Sequence, residues 1–348
     1  MIAAVLAAAL VICLSGCCLP DLAVVSRLLD DPDFPVIEWN EDDPEGSFRE
    51  LGEHLMRREQ YVGIRGGEEL EWMDVCSRNF WVDTFSVSGS DYSSYKTYEF
   101  YYLPDADECE IQAGLAELEA DSIIACIPEG ADDFQKVLTI HDELIRRTEY
   151  TDSEDQEHIY DLYGALVLHK AVCQGYTFAM AYILDQLGIK NGFVWSEDHI
   201  WTYLPDAPGG EKYVDVTWDD IDENDSSGDP YILHNCLFVT ADEMSRLEKH
   251  SDAEGELSDE SGSGNNYYRR AGGYINKAQC LSVSSDEIAR QYELGRNVIE
   301  LRFEDEADYE YAAVRIGGLL RESGYTGAYI VWNDDNMQVL TVGLNCEE

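Results

Sequence analysis

Residues 173–218 constrain the fold more than any other part of the 348-residue chain. The first of them, 173–187, form a mostly apolar run of helical length, and Gly188 follows as a residue type that commonly ends a helix. Aromatic and β-branched residues then predict three short strands, at 192–195, 199–204 and 212–218. The segment PDAPGGE separates the last two strands, and its Pro and Gly residues suit a hairpin. A helix followed by short strands and a hairpin predicts α+β structure.

Charge and composition exclude several broad classes. The chain has 71 acidic residues against 23 basic ones, a formal net charge of −48. Affinity for a nucleic-acid backbone comes from Lys and Arg side chains that replace counterions, so we expect no nucleic-acid partner. An apolar fraction of 45% supplies material for packed cores, which excludes global disorder. The ten cysteines show no zinc-site spacing and no Gly-rich phosphate loop is present, so we expect no metal and no cofactor.

The N-terminal residues have the composition of an export signal. The apolar run from Ile2 to Leu14 covers about 13 residues, fewer than the roughly 20 that span a bilayer, and matches the core of a secretory signal. The sequence LSGC at 14–17 resembles the lipobox of bacterial lipoproteins. The resemblance implies a signal peptide at 1–16, lipid attachment to Cys17, and an extracytoplasmic protein anchored to the outer face of the cytoplasmic membrane. The alternative is a buried N-terminal helix.

Shifts in composition predict the domain boundaries. Residues 17–46 are interpreted as an acidic stalk or linker, because 30–46 carry eight acids, no basic residue and three prolines. A second linker, acidic and rich in Gly and Ser, is predicted at 251–266. These linkers delimit an N-terminal α+β region at 47–130, a core at 131–250 and a small C-terminal α+β module at 267–348.

Local patterns predict further elements. Ser47 and Glu50 have the spacing of a capping box, which predicts that a helix starts there. Apolar positions at helical spacing predict a helix over 132–148 with His141 on its apolar face, where a structural histidine is favoured over a catalytic one. Strand patterns occur at 80–87, 97–103, 298–303, 328–332 and 338–344, and a helical pattern at 307–321.

Three residues of the 173–218 segment form a candidate catalytic set. Cys173 stands at the predicted helix start, where the helix dipole and unpaired N–H groups favour a thiolate. His199 is the nearest downstream histidine that could serve as its base. Two registers of the hairpin are considered. If the numbers of paired residues sum to 414, His199 lies directly opposite Asp215. If they sum to 416, the two residues are diagonal neighbours on the same face of the sheet. Both registers allow the carboxylate to orient the imidazole, as a nucleophile–base–carboxylate arrangement requires.

Short motifs surround these three residues: AVCQGY at 171–176, DHIW at 198–201 and YVDVTWDD at 213–220. Together they resemble the bacterial transglutaminase-like domain, whose superfamily shares its core with papain-like cysteine peptidases. The segment IHDEL at 140–144 resembles the lead-in of that domain, and FVTADEM at 238–244 with His250 resembles its exit. The resemblance covers about residues 131–250.

By position, the resemblance implies Cys173 as nucleophile, His199 as general base and acid, and Asp215 as the orienting carboxylate. It implies a papain-like core in which a helix bearing the cysteine packs on an antiparallel sheet carrying the histidine and the aspartate, with small α+β modules on either side. The implied reaction cleaves or transfers a peptide or isopeptide amide through a thioester, on a peptide, protein or cell-wall peptide. Ile200 stands where the family usually has alanine, and no oxyanion-hole side chain is assigned.

Other functions stay open at this point. A catalytically inactive surface or cell-wall binding protein could retain the same fold, and a structural lipoprotein could carry a vestigial triad. In the residue-level alternative, Cys173 is an inert thiol at a helix start while His199 and Asp215 stabilise the hairpin. The oligomeric state is unknown.

Overall fold

The computed structural model describes residues 34–67, 69–88, 95–103, 108–153, 156–251, 253–255, 267–276 and 280–345. The predicted signal peptide, the lipid anchor Cys17 and most of the second acidic linker lie outside these residues. The described residues form two compact units, 34–119 with 161–163, and 120–160 with 164–345. Among the helices of this described part, none has the length and apolarity needed to cross a bilayer.

The first unit is built on a four-stranded sheet. Its strands are β1 (Val36–Glu38), β2 (Tyr61–Arg65), β3 (Val82–Ser88) and β4 (Lys96–Tyr102). Their order is β1-β2-β4-β3, with β1 parallel to β2 and the other pairs antiparallel. Its helices are α1 (Pro44–Met56), α2 (Trp72–Cys76) and α3 (Cys109–Ile124), of which α3 continues into the second unit from Ala120.

Two predictions for this region are wrong. Residues 36–38 are not part of a stalk, because they form β1 and the Ile37 side chain is completely buried. The helix does not start at a Ser47 capping box, because Asp43 accepts the Gly46 N–H at 3.0 Å and Pro44 occupies the first turn. The Ser47 hydroxyl instead accepts a hydrogen bond from the Asn40 N–H. The strands predicted at 80–87 and 97–103 are confirmed within two residues.

The second unit contains the candidate catalytic segment and has α+β structure. Its helices are α4 (Asp133–Arg147), α5 (Cys173–Gln186), α6 (Val216–Asp219), α7 (Ala241–Met244), α8 (Tyr267–Ala271), α9 (Cys280–Glu293) and α10 (Glu306–Glu322), with a π-helical turn at Gly164–Leu168. Its strands are β5 (Glu149–Tyr150), β6 (Lys170–Ala171), β7 (Gly192–Trp195), β8 (Ile200–Leu204), β9 (Lys212–Val214), β10 (Asp220–Asn224), β11 (Pro230–Ile232), β12 (Leu237–Val239), β13 (Glu254–Gly255), β14 (Tyr274–Ile275), β15 (Val298–Phe303), β16 (Tyr329–Asp334) and β17 (Val339–Leu344).

Helices α4 and α5 pack together and form the helical layer of this unit. A capping box starts α4, in which Asp132 accepts the Gln135 N–H and the Gln135 side chain accepts the Asp132 N–H, as expected for a helix at this position. Helix α5 is buried along most of its length and ends before Gly188, whose φ of +66° is the left-handed conformation that follows many helices. Both predicted helices are therefore confirmed.

A five-stranded antiparallel sheet with the order β12-β9-β8-β7-β13 packs against α5. Strands β8 and β9 pair Thr202 with Val214 and Tyr203 with Tyr213, which is the register with sums of 416. The strand predicted at 212–218 is too long. It ends at Val214, because Asp215 accepts the Trp218 N–H at 3.1 Å and so starts the helical turn α6.

The C-terminal part of the unit is a second four-stranded sheet with the order β14-β15-β17-β16. Strand β14 runs parallel to β15, and the other pairs are antiparallel. Helices α9 and α10 pack on this sheet around a core that includes Ile288, Leu301 and Leu340. The strands and the helix predicted for 298–344 are confirmed.

Candidate thiol–imidazole–carboxylate site

Cys173 is the first residue of the 14-residue helix α5. Its N–H lies at the helix start and so has no acceptor within the helix. The side chain of Thr177, one turn further on, donates to the Ile200 carbonyl at 3.1 Å and fixes α5 to the start of β8. The Cys173 side chain is a free thiol with an exposed fraction of 5%. Local packing therefore holds the thiol next to the residue that precedes β8.

That residue is His199. The Nε2 atom of its ring lies 2.5 Å from Oδ2 of Asp215. The Cys173 side chain lies near enough to the ring to raise the pKa of His199, and Nδ1 is the ring nitrogen that does not contact Asp215. The structure thus brings together all three residues of the predicted catalytic set, in the order thiol, imidazole, carboxylate.

Asp215 is 1% exposed, and its two carboxylate oxygens have different hydrogen-bond partners. Oδ1 accepts the Trp218 N–H and caps α6, whereas Oδ2 faces His199 and, at 2.8 Å, Nε2 of His250. Burial by itself raises the pKa of Asp215, but the charges and hydrogen bonds of the two histidines outweigh burial and hold the pKa well below its usual range. The carboxylate is therefore ionised at neutral pH.

The electrostatics of His199 follow from the same contacts. Burial lowers the pKa of His199, but the charge of Asp215 and the hydrogen bonds with Asp215 and Cys173 outweigh burial and raise the pKa to about 10. A His199 ring with this pKa is a strong acceptor for a proton. This is the electrostatic condition for a thiolate–imidazolium pair.

His250 is a site residue to which the sequence assigned no role. Its Nε2 faces the Asp215 carboxylate, and its Nδ1 lies 2.7 Å from the Glu248 carbonyl oxygen. Because a carbonyl and an ionised carboxylate only accept hydrogen bonds, both nitrogens of the His250 ring must donate. No spacing signal connects His250 to Asp215, since 35 residues separate the two.

Two tryptophan side chains enclose both imidazole rings. The Trp201 ring lies 5.7 Å from His199 and 4.6 Å from His250, measured between ring centroids. The Trp218 ring lies 5.6 Å from His199 and 5.1 Å from His250. Because these rings exclude water, the charges around Asp215 interact more strongly than they would in solvent.

Polar residues surround the thiol on its other side. Tyr150, with an exposed fraction of 41%, and Lys249 both lie near enough to interact electrostatically with Cys173. Lys249 also pairs with Asp198 at 3.1 Å. The Gln174 amide donates to the Tyr160 carbonyl at 2.8 Å, so a structural contact occupies it.

His141 lies between two acidic side chains of the second unit. It is completely buried, and its Nδ1 and Nε2 atoms lie 3.0 Å from Asp142 and 3.2 Å from Asp219, respectively. Both oxygens of Asp219 in turn accept the Cys236 N–H.

Several solved structures match the chain, among them two at low sequence identity. No protein-family model and no curated protein matches the chain. One solved structure, described as "Crystal structure of a TGase", is 14% identical with a TM-score of 0.26 over 54% of this chain. Another, of menin with its binding site for the Mixed Lineage Leukemia protein, is 14% identical with a TM-score of 0.25 over 63% of this chain. The matches span 60% and 51% of those two chains, and scores this low carry no conclusion about function.

Proposed function

We propose that this chain is a cysteine acyl-transfer enzyme with a transglutaminase-like core. The supporting observation is the proximity of the Cys173 thiol, at the start of a long helix, to a His199 ring that is hydrogen-bonded to Asp215. The substrate is a peptide, protein or cell-wall peptide, and the bond that reacts is a peptide or isopeptide amide.

In the first step, Nδ1 of His199 takes the proton of the Cys173 thiol, and the thiolate attacks the amide carbonyl carbon. The C–S bond forms as the carbonyl oxygen becomes an oxyanion. The backbone N–H of Cys173 is the donor for this oxyanion, since it has no acceptor within α5. The C–N bond then breaks, and His199 returns its proton to the leaving amine.

The second step resolves the thioester. His199 removes a proton from water or from an acceptor amine, which attacks the thioester carbonyl carbon, and the C–S bond breaks with the proton returned to Cys173 sulfur. Water gives hydrolysis and an amine gives transfer. Asp215 holds the imidazole in the tautomer that both steps need.

The alternative function is a catalytically inactive binding protein with the same core. The observation in its favour is the 5% exposure of Cys173, because a nucleophile must reach its substrate. Trp201 and Trp218 would then serve as packing for a buried polar cluster. Thiol reactivity distinguishes the two proposals.

The test is alkylation by iodoacetamide over a pH series, with each cysteine quantified by mass spectrometry. The exposed thiol of Cys126 serves as an internal reference within the same chain. We expect Cys173 to react faster than Cys126 at pH 6–7 and to lose this advantage in His199→Ala. A His54→Gln variant, which changes a histidine of the other unit, should keep it. Equal rates for the two thiols in the native protein would refute the enzyme proposal.

Substrate turnover separates hydrolysis from transfer. The purified protein is incubated with a glutamine-containing peptide library with and without a primary amine, and products are identified by mass. Products that carry the amine show transfer, whereas shortened or deamidated peptides show hydrolysis. Either product must disappear in Cys173→Ala.

The proposed location is extracytoplasmic, with a lipid on Cys17. The support is the lipobox-like sequence LSGC at 14–17. Metabolic labelling with a fatty acid in a bacterial host should label the native chain and not Cys17→Ala, with Cys18→Ala as the matched control. Label that persists in Cys17→Ala would exclude this residue as the anchor.

A further inference from the structure

We propose that a zinc ion binds between His141, Asp142 and His234. The Nδ1 atom of His141 and the Nε2 atom of His234 converge on the same oxygen, Oδ1 of Asp142, at 3.0 Å and 3.1 Å. These three donor atoms lie within 4.8 Å of one another. They are the nitrogen and carboxylate ligands that zinc prefers.

The other nitrogen of each imidazole is held by a buried carboxylate. Nε2 of His141 lies 3.2 Å from Asp219, and Nδ1 of His234 lies 2.7 Å from Glu300. Histidines that bind a metal usually donate their second N–H to such a carboxylate, which sets the tautomer and aims the free nitrogen at the ion. Both histidines of this group have that support, so the two inner nitrogens are left as metal ligands.

Burial and charge support the same conclusion. His141 is completely buried, the His234 side chain is 10% exposed, and the two ring centroids lie 5.5 Å apart. Each ring lies between two acidic side chains, so a cation on the inner nitrogens would face Asp142 directly, with Asp219 and Glu300 behind the rings.

The spacing of the donors fits a tetrahedral ion. Zinc lies about 2.0–2.2 Å from nitrogen and carboxylate ligands, so neighbouring donors are roughly 3.3 Å apart. The observed separations of 3.0 Å and 3.1 Å need only a small expansion. Asp142 Oδ2 is directed to Arg146 at 3.6 Å, which favours binding through Oδ1 alone. The Asp142 side chain is 20% exposed, so water can reach the fourth position.

The other His–Asp–His group of the described residues, His199 with Asp215 and His250, fits less well. The second nitrogen of its His199 faces the Cys173 thiol and not a carboxylate. All three of its side chains are 5% exposed or less, which leaves no path for an ion. Zinc bound by His141, Asp142 and His234 would instead connect α4 to the segment after β11. Glu300, which contacts His234, would extend this connection to β15.

Zinc titration of the full chain tests the proposal. The protein is treated with EDTA, dialysed, titrated with ZnCl₂ in a calorimeter, and then measured for bound zinc after removal of excess metal. We expect one equivalent per chain. Asp142→Asn and His234→Gln should lose it, and Glu300→Gln should weaken binding by about 10–100-fold. His250→Gln, a change in the other His–Asp–His group, should retain the full equivalent.

Cobalt substitution gives a measurement that needs no variant. Co²⁺ bound to the native protein should show the visible absorption bands of a four-coordinate ion, and added Zn²⁺ should remove them. The proposal is overturned if the native protein retains no zinc and no cobalt bands appear. It is also overturned if His250→Gln loses the bound zinc while His234→Gln retains it.

Discussion

His250 donates from Nε2 to Oδ2 of Asp215 at 2.8 Å, the same oxygen that accepts from His199. The hydrogen bond and charge of His250 lower the pKa of Asp215 and so offset part of the carboxylate's charge. A carboxylate whose negative charge is partly compensated raises the pKa of His199 less than an uncompensated carboxylate would. His250 is thus a positioning residue, which limits how tightly the general base holds the proton that it must later release.

The first prediction concerns His250→Gln. Glutamine can keep a hydrogen bond to Asp215 but carries no charge, so the pKa of His199 should rise further, by on the order of one unit. The other charged groups near the thiol and imidazole, Asp215 and Lys249, are unchanged. NMR titration of the His199 ring should therefore give a higher pKa than in the native protein. An unchanged pH profile in a folded variant would assign His250 a purely structural role.

The second prediction concerns Asp215→Asn. Asparagine still caps α6, so the turn should persist. The carboxylate that orients His199 is lost, and Cys173 alkylation at pH 7 should slow by on the order of 10²-fold. Removing one partner of a buried ion pair also leaves His250 uncompensated, so the free energy of unfolding in urea should fall by about 3–5 kcal/mol. Asp198→Asn, at the exposed ion pair with Lys249, should change both quantities little.

The third prediction concerns the pH dependence of stability. The pKa of His199 is about 10 in the folded protein against 6.5 for the free side chain. A raised folded pKa stabilises the protein fully below pH 6.5, and this stabilisation is lost as the pH rises towards 10. Urea unfolding at intervals from pH 6 to 10 should therefore show a larger loss of stability in the native protein than in His199→Gln. Parallel curves for the two proteins would contradict this expectation.

The fourth prediction isolates a backbone effect at the end of α5. Gly188 has φ +66°, and a Cβ there would meet nothing within 4 Å. Gly188→Ala should therefore lower the free energy of unfolding by about 1–2 kcal/mol, because alanine adopts the left-handed conformation less readily than glycine. The matched control is Gly318→Ala within α10, where the space is also open and alanine should stabilise by about 1 kcal/mol. Equal effects of the two substitutions on urea unfolding would show that backbone conformation does not decide them.

Local signals predicted the elements that hold the catalytic set. The apolar spacing over 132–148 and the glycine at position 188 are local patterns, so their helices could be located from sequence. Helix α3 was missed because Ile111, Leu115 and Leu118 are exposed, with fractions of 67%, 41% and 65%. Apolar residues on the outer side of a helix obscure its buried face.

The remaining contacts of the site depend on residues far apart in the chain. His141 meets Asp219 over 78 residues, and His234 meets Glu300 over 66. No spacing rule connects side chains that only the folded sheet brings together, so the sequence carries no zinc-site spacing at these residues. Asp215 was placed on a strand because its role as a helix cap depends on the single N–H of Trp218.

The short helix α6 has a mechanical consequence. Asp215 precedes its first residue and Asp219 is its last, so a carboxylate that contacts each histidine cluster lies at either end of this turn. A displacement of the turn would alter the contacts of His199 and His141 at once. If zinc binds at His141 as proposed, its binding and the protonation of His199 are thermodynamically linked, and the coupling free energy acts equally in both directions.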